Sequence, residues 1–130
     1  RFDFDINQNE AMRNNFNTVS NEIMDVYPHV TITVEDFPSD KGDEKFEVIE
    51  KLFSSGKSSL LSIPLRPFNY PGWHIMPIVD ILDEQFYMLH SISSLGVPQI
   101  LDLSKAKLIE THSKYRGGHD IAYIESFETR

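Results

Sequence analysis

The segment from Trp73 to His90 constrains this chain most. Ten residues, Trp73 to Leu82, carry Ile75, Met76, Ile78, Val79 and Ile81, stop at Asp83-Glu84, and resume as Gln85 to His90. An apolar, β-branched run interrupted by two polar residues and then continued predicts a β-hairpin. Ser59 to Ile63 reads as a strand before it, and Pro64, Pro67 and Pro71 keep the intervening stretch a loop, because proline cannot donate to a ladder. Beyond a loop at 91–98, Ile100 to Leu103 predicts a short strand. Ser104 then caps a helix running to about Lys114, and Gly117-Gly118 turns into a strand from His119 to Glu125. The second half of the chain is therefore an antiparallel sheet in outline.

The first half supplies helices to cover it. Phe2, Phe4 and Ile6 alternate with Asp3, Asp5 and Asn7, the period of a short strand or extended arm. Over residues 9–26, Ala11, Met12, Phe16, Val19, Ile23 and Met24 recur at spacings of three and four, which predicts a helix with one inward apolar stripe. His29 to Glu35 alternates as a strand. After a polar loop at 38–43, Phe46, Ile49, Leu52 and Phe53 mark a helix over about 43–55, with Asp43 and Glu44 in its first turn and Gly56 at its end. The expected fold is a single α+β domain spanning residues 1–130. Its N-terminal helix packs on a twisted antiparallel sheet of about five strands, with the second and late helices at the sides. A length of 130 residues with 40% hydrophobic side chains suits one core. The pattern contains no internal repeat.

Charge narrows the partners. The net charge is −8, and residues 1–56 hold 5 basic against 12 acidic groups. A net-negative domain without a Lys/Arg cluster repels phosphate backbones and anionic lipid surfaces, so nucleic acid is not expected as a partner. No apolar run approaches the roughly 20 residues of a membrane helix, so no membrane insertion is expected. A cytoplasmic location is the expectation, with the oligomeric state left open. The chain begins with Arg1 and reads as a piece of a longer protein. It contains no cysteine, which removes disulfides, thiolate metal sites and a cysteine nucleophile from these residues.

Gly72-Trp73-His74 delivers an imidazole from a Pro/Gly-rich loop to the start of the long strand, and His90 ends the strand that follows. Hairpin pairing of that length sets the two rings on neighbouring strand ends. Both also read as polar strand-end residues near solvent. His112, His119 and Asp120 bracket the Gly-Gly turn without a metal-ligand spacing, so no metal and no cofactor are expected. Ser20 and Ser91 are serines available as alternative nucleophiles, though a cap or turn role is the ordinary one.

The run Gly56 to Ile63, the Pro-rich loop, Gly72-Trp73-His74-Ile75-Met76-Pro77-Ile78-Val79-Asp80, then Phe86 to Ser91, a helix, and Gly117 to Ile124 resemble the C-terminal half of papain-like cysteine peptidases. The resemblance is nearest to the branch that clips double-glycine leader peptides of bacteriocins. It implies a minimal papain-like fold with His74 at the catalytic histidine position and His90 where an orienting Asp or Asn stands. It also places Gln8 at the oxyanion-hole glutamine and Asn15 at the nucleophile. An active member carries Cys where this chain has Asn15. An amide cannot be activated by an imidazole as a thiol is, and His90 supplies no fixed negative charge. The implied function is a catalytically degenerate peptidase-like domain holding a peptide or protein ligand in the vestigial cleft, with Phe16, Phe68, Tyr70 and Trp73 as the lining. Two alternatives stay open at this level. One is an active peptidase whose nucleophile lies upstream of Arg1 or has been substituted at Asn15; the other is an unrelated small interaction domain.

Overall fold

The structure is a computed structural model that describes residues 8–70, 72–90, 98–115 and 117–127, with only the backbone described for 8–15 and 126–127. The expected arm at residues 1–7, the loop at 91–97 and Ser91 within it lie outside the described residues. In chain order the elements are α1 (Gln8–Val26), β1 (Val30–Asp36), α2 (Gly42–Ser54), β2 (Ser59–Pro64), β3 (Trp73–Leu82), β4 (Gln85–His90), β5 (Gln99–Ser104), α3 (Lys105–Lys114) and β6 (Asp120–Phe127). Short 3₁₀ turns at Ser39–Lys41 and Arg66–Phe68 join them. The fold is α+β, three helices and one antiparallel sheet in the order β1-β6-β2-β3-β4-β5. The sheet has six strands where about five were expected, Gln99–Ser104 forming a complete edge strand.

Local chemistry accounts for the boundaries. Ser104 is extended and its hydroxyl accepts from the Lys107 amide at 3.1 Å, the cap that starts α3. Asp43 and Glu44 lie in the first turn of α2, and Gly56, at φ +82°, follows its end. Asp83 and Glu84 both adopt left-handed backbone, φ 50° and 63°, which matches the twist of a two-residue hairpin turn. The approach to β6 depends on Gly118. It sits at φ +72°, and a Cβ there would lie 2.7 Å from Pro64 Cδ and 2.8 Å from the Ile63 carbonyl carbon. The last strand can slide between β1 and β2 only because this residue has no side chain.

The core lies between one face of the sheet and the pair α2–α3. Phe46 and Ile49 from α2 and Leu108 from α3 meet Leu61, Ile63, Met76, Ile78, Phe86, Met88 and Ile121 from the strands. The Phe46 and Phe86 rings pack edge to face at 5.6 Å. On the opposite face a smaller cluster joins Phe16 of α1 to Trp73 and Ala122, with Val34 and Ile75 against it. Of the apolar stripe predicted for α1, Phe16 is buried and Met24 half-buried, but Val19 and Ile23 are 53% and 38% exposed. The helix forms as expected, and of the described stripe residues Phe16 and Met24 face inward while Val19 and Ile23 stay open; Ala11 and Met12 lie outside the described side chains. Among the described residues no helix is long and apolar enough to cross a membrane.

Candidate functional site

The histidine pair is built by the β3–β4 hairpin. Leu82 pairs with Gln85, Ile81 with Phe86 and Asp80 with Tyr87; the register then shifts, and Ile78 pairs with Met88. The shift is a β-bulge that absorbs Val79, which is left 44% exposed. Side chains alternate along a strand, so one extra residue reverses which face each later position takes. Without the bulge His90 would oppose Pro77, and His74 would point away from it. With it, Met76, Ile78, Met88 and His90 share one face, and His74 joins them, opposite Ile63 of β2. The two rings meet edge to face, centroids 5.4 Å apart, and Tyr70 covers His90 from the loop at 5.7 Å.

The surroundings of His74 disfavour its charged form. Burial lowers the His74 pKa, and the neighbouring His90 lowers it further. His90 is buried, and its Nδ1 has no hydrogen-bond partner among the described residues. The ring that meets His74 is another imidazole, which supplies no fixed negative charge to stabilise an imidazolium during general-base catalysis.

The other expected positions are distributed over α1, the Pro-rich loop and the start of β3. Gln8 and Asn15 both lie on α1, and their side chains are outside the described residues. Phe16, next to Asn15, packs against Trp73 and Ile75, whose alternation puts them on the face opposite His74. The aromatics read as ligand-lining are mostly interior. Phe16 and Trp73 are 4% exposed and bury each other, Phe68 is half-buried against the main core, and only Tyr70 is open to solvent.

Two features escaped the sequence. The first is a buried polar knot beneath the Gly117-Gly118 turn. Lys45 of α2 is fully buried and donates to the carbonyls of Ser62, at 2.7 Å, and Gly118, at 2.8 Å. The Ser62 hydroxyl accepts from the Asp120 amide and donates to the Asp120 carbonyl. Burial lowers the Lys45 pKa to about 7, against the opposing pull of the Asp120 and Asp36 carboxylates. Beside it the His112 and His119 rings stack at 4.2 Å, His112 Nε2 donating to Pro38 O at 2.8 Å and His119 Nε2 to His112 O at 3.0 Å. With both Nε2 atoms on carbonyls, the pair ties loops together. Among the described residues no group of three His, Asp or Glu is placed to hold a metal ion. A lysine in an amphipathic helix carries no sequence mark of burial, so this knot was not legible.

The second is an apolar cleft of about 340 Å³ between α1 and the sheet. Phe16 and Ala122 form its floor, with Val19 and Ile23 on one wall and Leu60 and Ile124 on the other. Among the described residues its lining has no Lys, Arg, Asp, Glu or His. The signal was present in α1 as apolar residues beyond what its packing uses.

No family model, curated protein or solved structure matches this chain. The cleft and the histidine pair must therefore speak for themselves.

Proposed function

We propose that this is a non-catalytic peptide-binding domain of papain-like resemblance, and that it holds an extended segment with aliphatic side chains in the cleft between α1 and strands β2 and β6. The observation that carries the reading is that the described lining of that cleft is uncharged and open to solvent along Val19, Ile23, Leu60 and Ile124. Its volume lies in the range that accommodates a few side chains. Exposed apolar surface on a chain of net charge −8 is costly to leave uncovered and points to an occupant. The absence of any cysteine and the burial that lowers the His74 pKa support binding without turnover.

Trp73 is the only tryptophan, and it packs on Phe16, which floors the cleft. Its emission is thus a built-in reporter. Blocked peptides with Leu or Ile at alternate positions are expected to shift it saturably, and the same peptides with Asp at those positions are not. Leu60→Glu should weaken binding at least tenfold while leaving the circular dichroism unchanged. Equal response to both peptide sets, or measurable peptide hydrolysis that disappears in His74→Ala, would remove the proposal.

A further inference from the structure

The loop that ends in Tyr70 and the C-terminal end of α3 enclose a second cleft, of about 430 Å³, lined by Arg66, Asn69, Tyr70 and Tyr115. It differs from the first in chemistry, for every lining side chain carries a hydrogen-bonding group and one carries a full positive charge. We infer that this cleft is a binding site for a carboxylate, of the kind borne by the C terminus of a peptide.

The cleft is held open by a stiff frame. Pro67 fixes its own backbone within the 3₁₀ turn Arg66–Phe68, and three amides close the turn: Phe68 onto Leu65 O at 3.0 Å, Asn69 onto Arg66 O at 2.9 Å and Tyr70 onto Leu65 O at 3.2 Å. Leu65 N in turn donates to Gly72 O at 2.9 Å, tying the loop's two ends together. Asn69 takes the left-handed conformation, φ 64°, as the residue that ends this turn. On the facing side Tyr115 caps α3 through its amide to Thr111 O at 3.2 Å.

Charge selects the ligand. The Arg66 guanidinium lies over the Tyr115 ring at 6.0 Å, and the Lys114 ammonium over the same ring at 5.4 Å. No described carboxylate forms an ion pair with Arg66, in a chain where acidic groups outnumber basic ones by eight. A guanidinium matches the two oxygens of a carboxylate in fork geometry. Asn69 offers amide donors, and the Tyr70 and Tyr115 hydroxyls complete a set that favours an acceptor-only ligand. The Arg66 guanidinium supplies the two parallel donors of a carboxylate fork, the Lys114 ammonium over the same ring adds positive charge, and inorganic phosphate is the competing anion that the test separates. Because Tyr70 also packs on His90, an occupant would sit beside the histidine pair.

The test uses the full chain and nuclear magnetic resonance of the Arg66 Nε–H, the Asn69 side-chain amide and the backbone amides of the 66–70 loop. N-acetyl-Ala-Ala-Leu with a free carboxylate is expected to shift these signals saturably. Its C-terminal amide should bind at least tenfold more weakly, and acetate alone should shift the same set. Arg66→Gln, at an exposed position, should lose the response, and Arg66→Lys should keep part of it. The inference is overturned if the amidated peptide binds equally, if inorganic phosphate or chloride at matched ionic strength produces the same shifts with the same affinity, or if Arg66→Gln changes nothing. The readout is independent of the α1 cleft, since acetate has no aliphatic chain to enter it and Trp73 emission reports that cleft separately.

Discussion

His112 shows how a single residue makes the fold sensitive to acid. Burial and the nearby Lys45 charge push its pKa down to about 4, while its ring Nε2 already donates to two carbonyls. The unfolded chain takes up that proton near the ordinary value of about 6.5. Between those two values the unfolded state binds more protons than the folded one, so stability falls as pH drops through the window. His119 and His74, also lowered by burial, act in the same direction. Lys45 extends the trend upward: with a folded pKa of about 7 against 10.5, stability rises with pH over that interval too. Urea midpoints taken at pH 7, 5.5 and 4.5 should fall steadily. His112→Gln keeps an amide donor but cannot charge, and it should flatten part of the decline; an unchanged slope would show that the ring is not responsible. None of this was readable in the sequence, where His112 and His119 stood out only as neighbours of a glycine turn.

Among the elements, the β3–β4 hairpin was the most legible and also holds what was least so. Its strand limits, Trp73–Leu82 and Gln85–His90, follow from β-branched runs and a polar interruption that any reader of the sequence can locate. The helices α2 and α3 declared themselves through acidic first-turn residues, a serine cap and a terminal glycine, because those signals are local. The bulge at Val79 is not local: it arises where three strands must agree in register, and no property of valine announces it. The exposure of Val19 and Ile23 on α1 was hidden for the same reason, since periodicity tells which residues share a helix face but not how much of that face a partner covers. The turn itself offers a clean test. Asp83 and Glu84 both occupy left-handed backbone, a conformation that costs a residue with a Cβ about 1 kcal/mol or more. Glu84→Gly should therefore raise stability by roughly 0.5–1 kcal/mol in equilibrium urea unfolding, after allowance for the greater freedom of glycine in the unfolded chain. Loss of stability on that substitution would mean the Glu84 side chain contributes more than its backbone strain costs.

At the scale of the whole molecule, the two sides of the sheet are unequally furnished. Among the described residues, twelve buried apolar side chains form the cluster beneath α2 and α3, whereas three form the one beneath α1. Regions with little buried contact open first, at free energies well below that of global unfolding. Hydrogen exchange followed by mass spectrometry should show the part of α1 from Phe16 to Val26 exchanging before α2, α3 and the central strands β2, β3 and β6. A peptide with alternate aliphatic side chains should slow α1 selectively. Uniform protection across all three helices would contradict this ranking. The α+β class and nearly all the element limits were legible because they rest on pattern. The opening of the α1 cleft, the burial of Lys45 and the cationic cleft at Arg66 were not, since each depends on which surfaces the chain brings together only after it has closed.

The extra residue at Val79 also bears on how this protein can change by descent. Substitutions in the hairpin leave the facing of every other side chain as it was, so the strand can vary widely in composition. Gain or loss of a single codon between Trp73 and Leu82 acts differently, for it would send His74 to the side of the sheet opposite His90 in one generation. The pairing of the two imidazoles is thus inherited as a length of gene rather than as the identity of its letters.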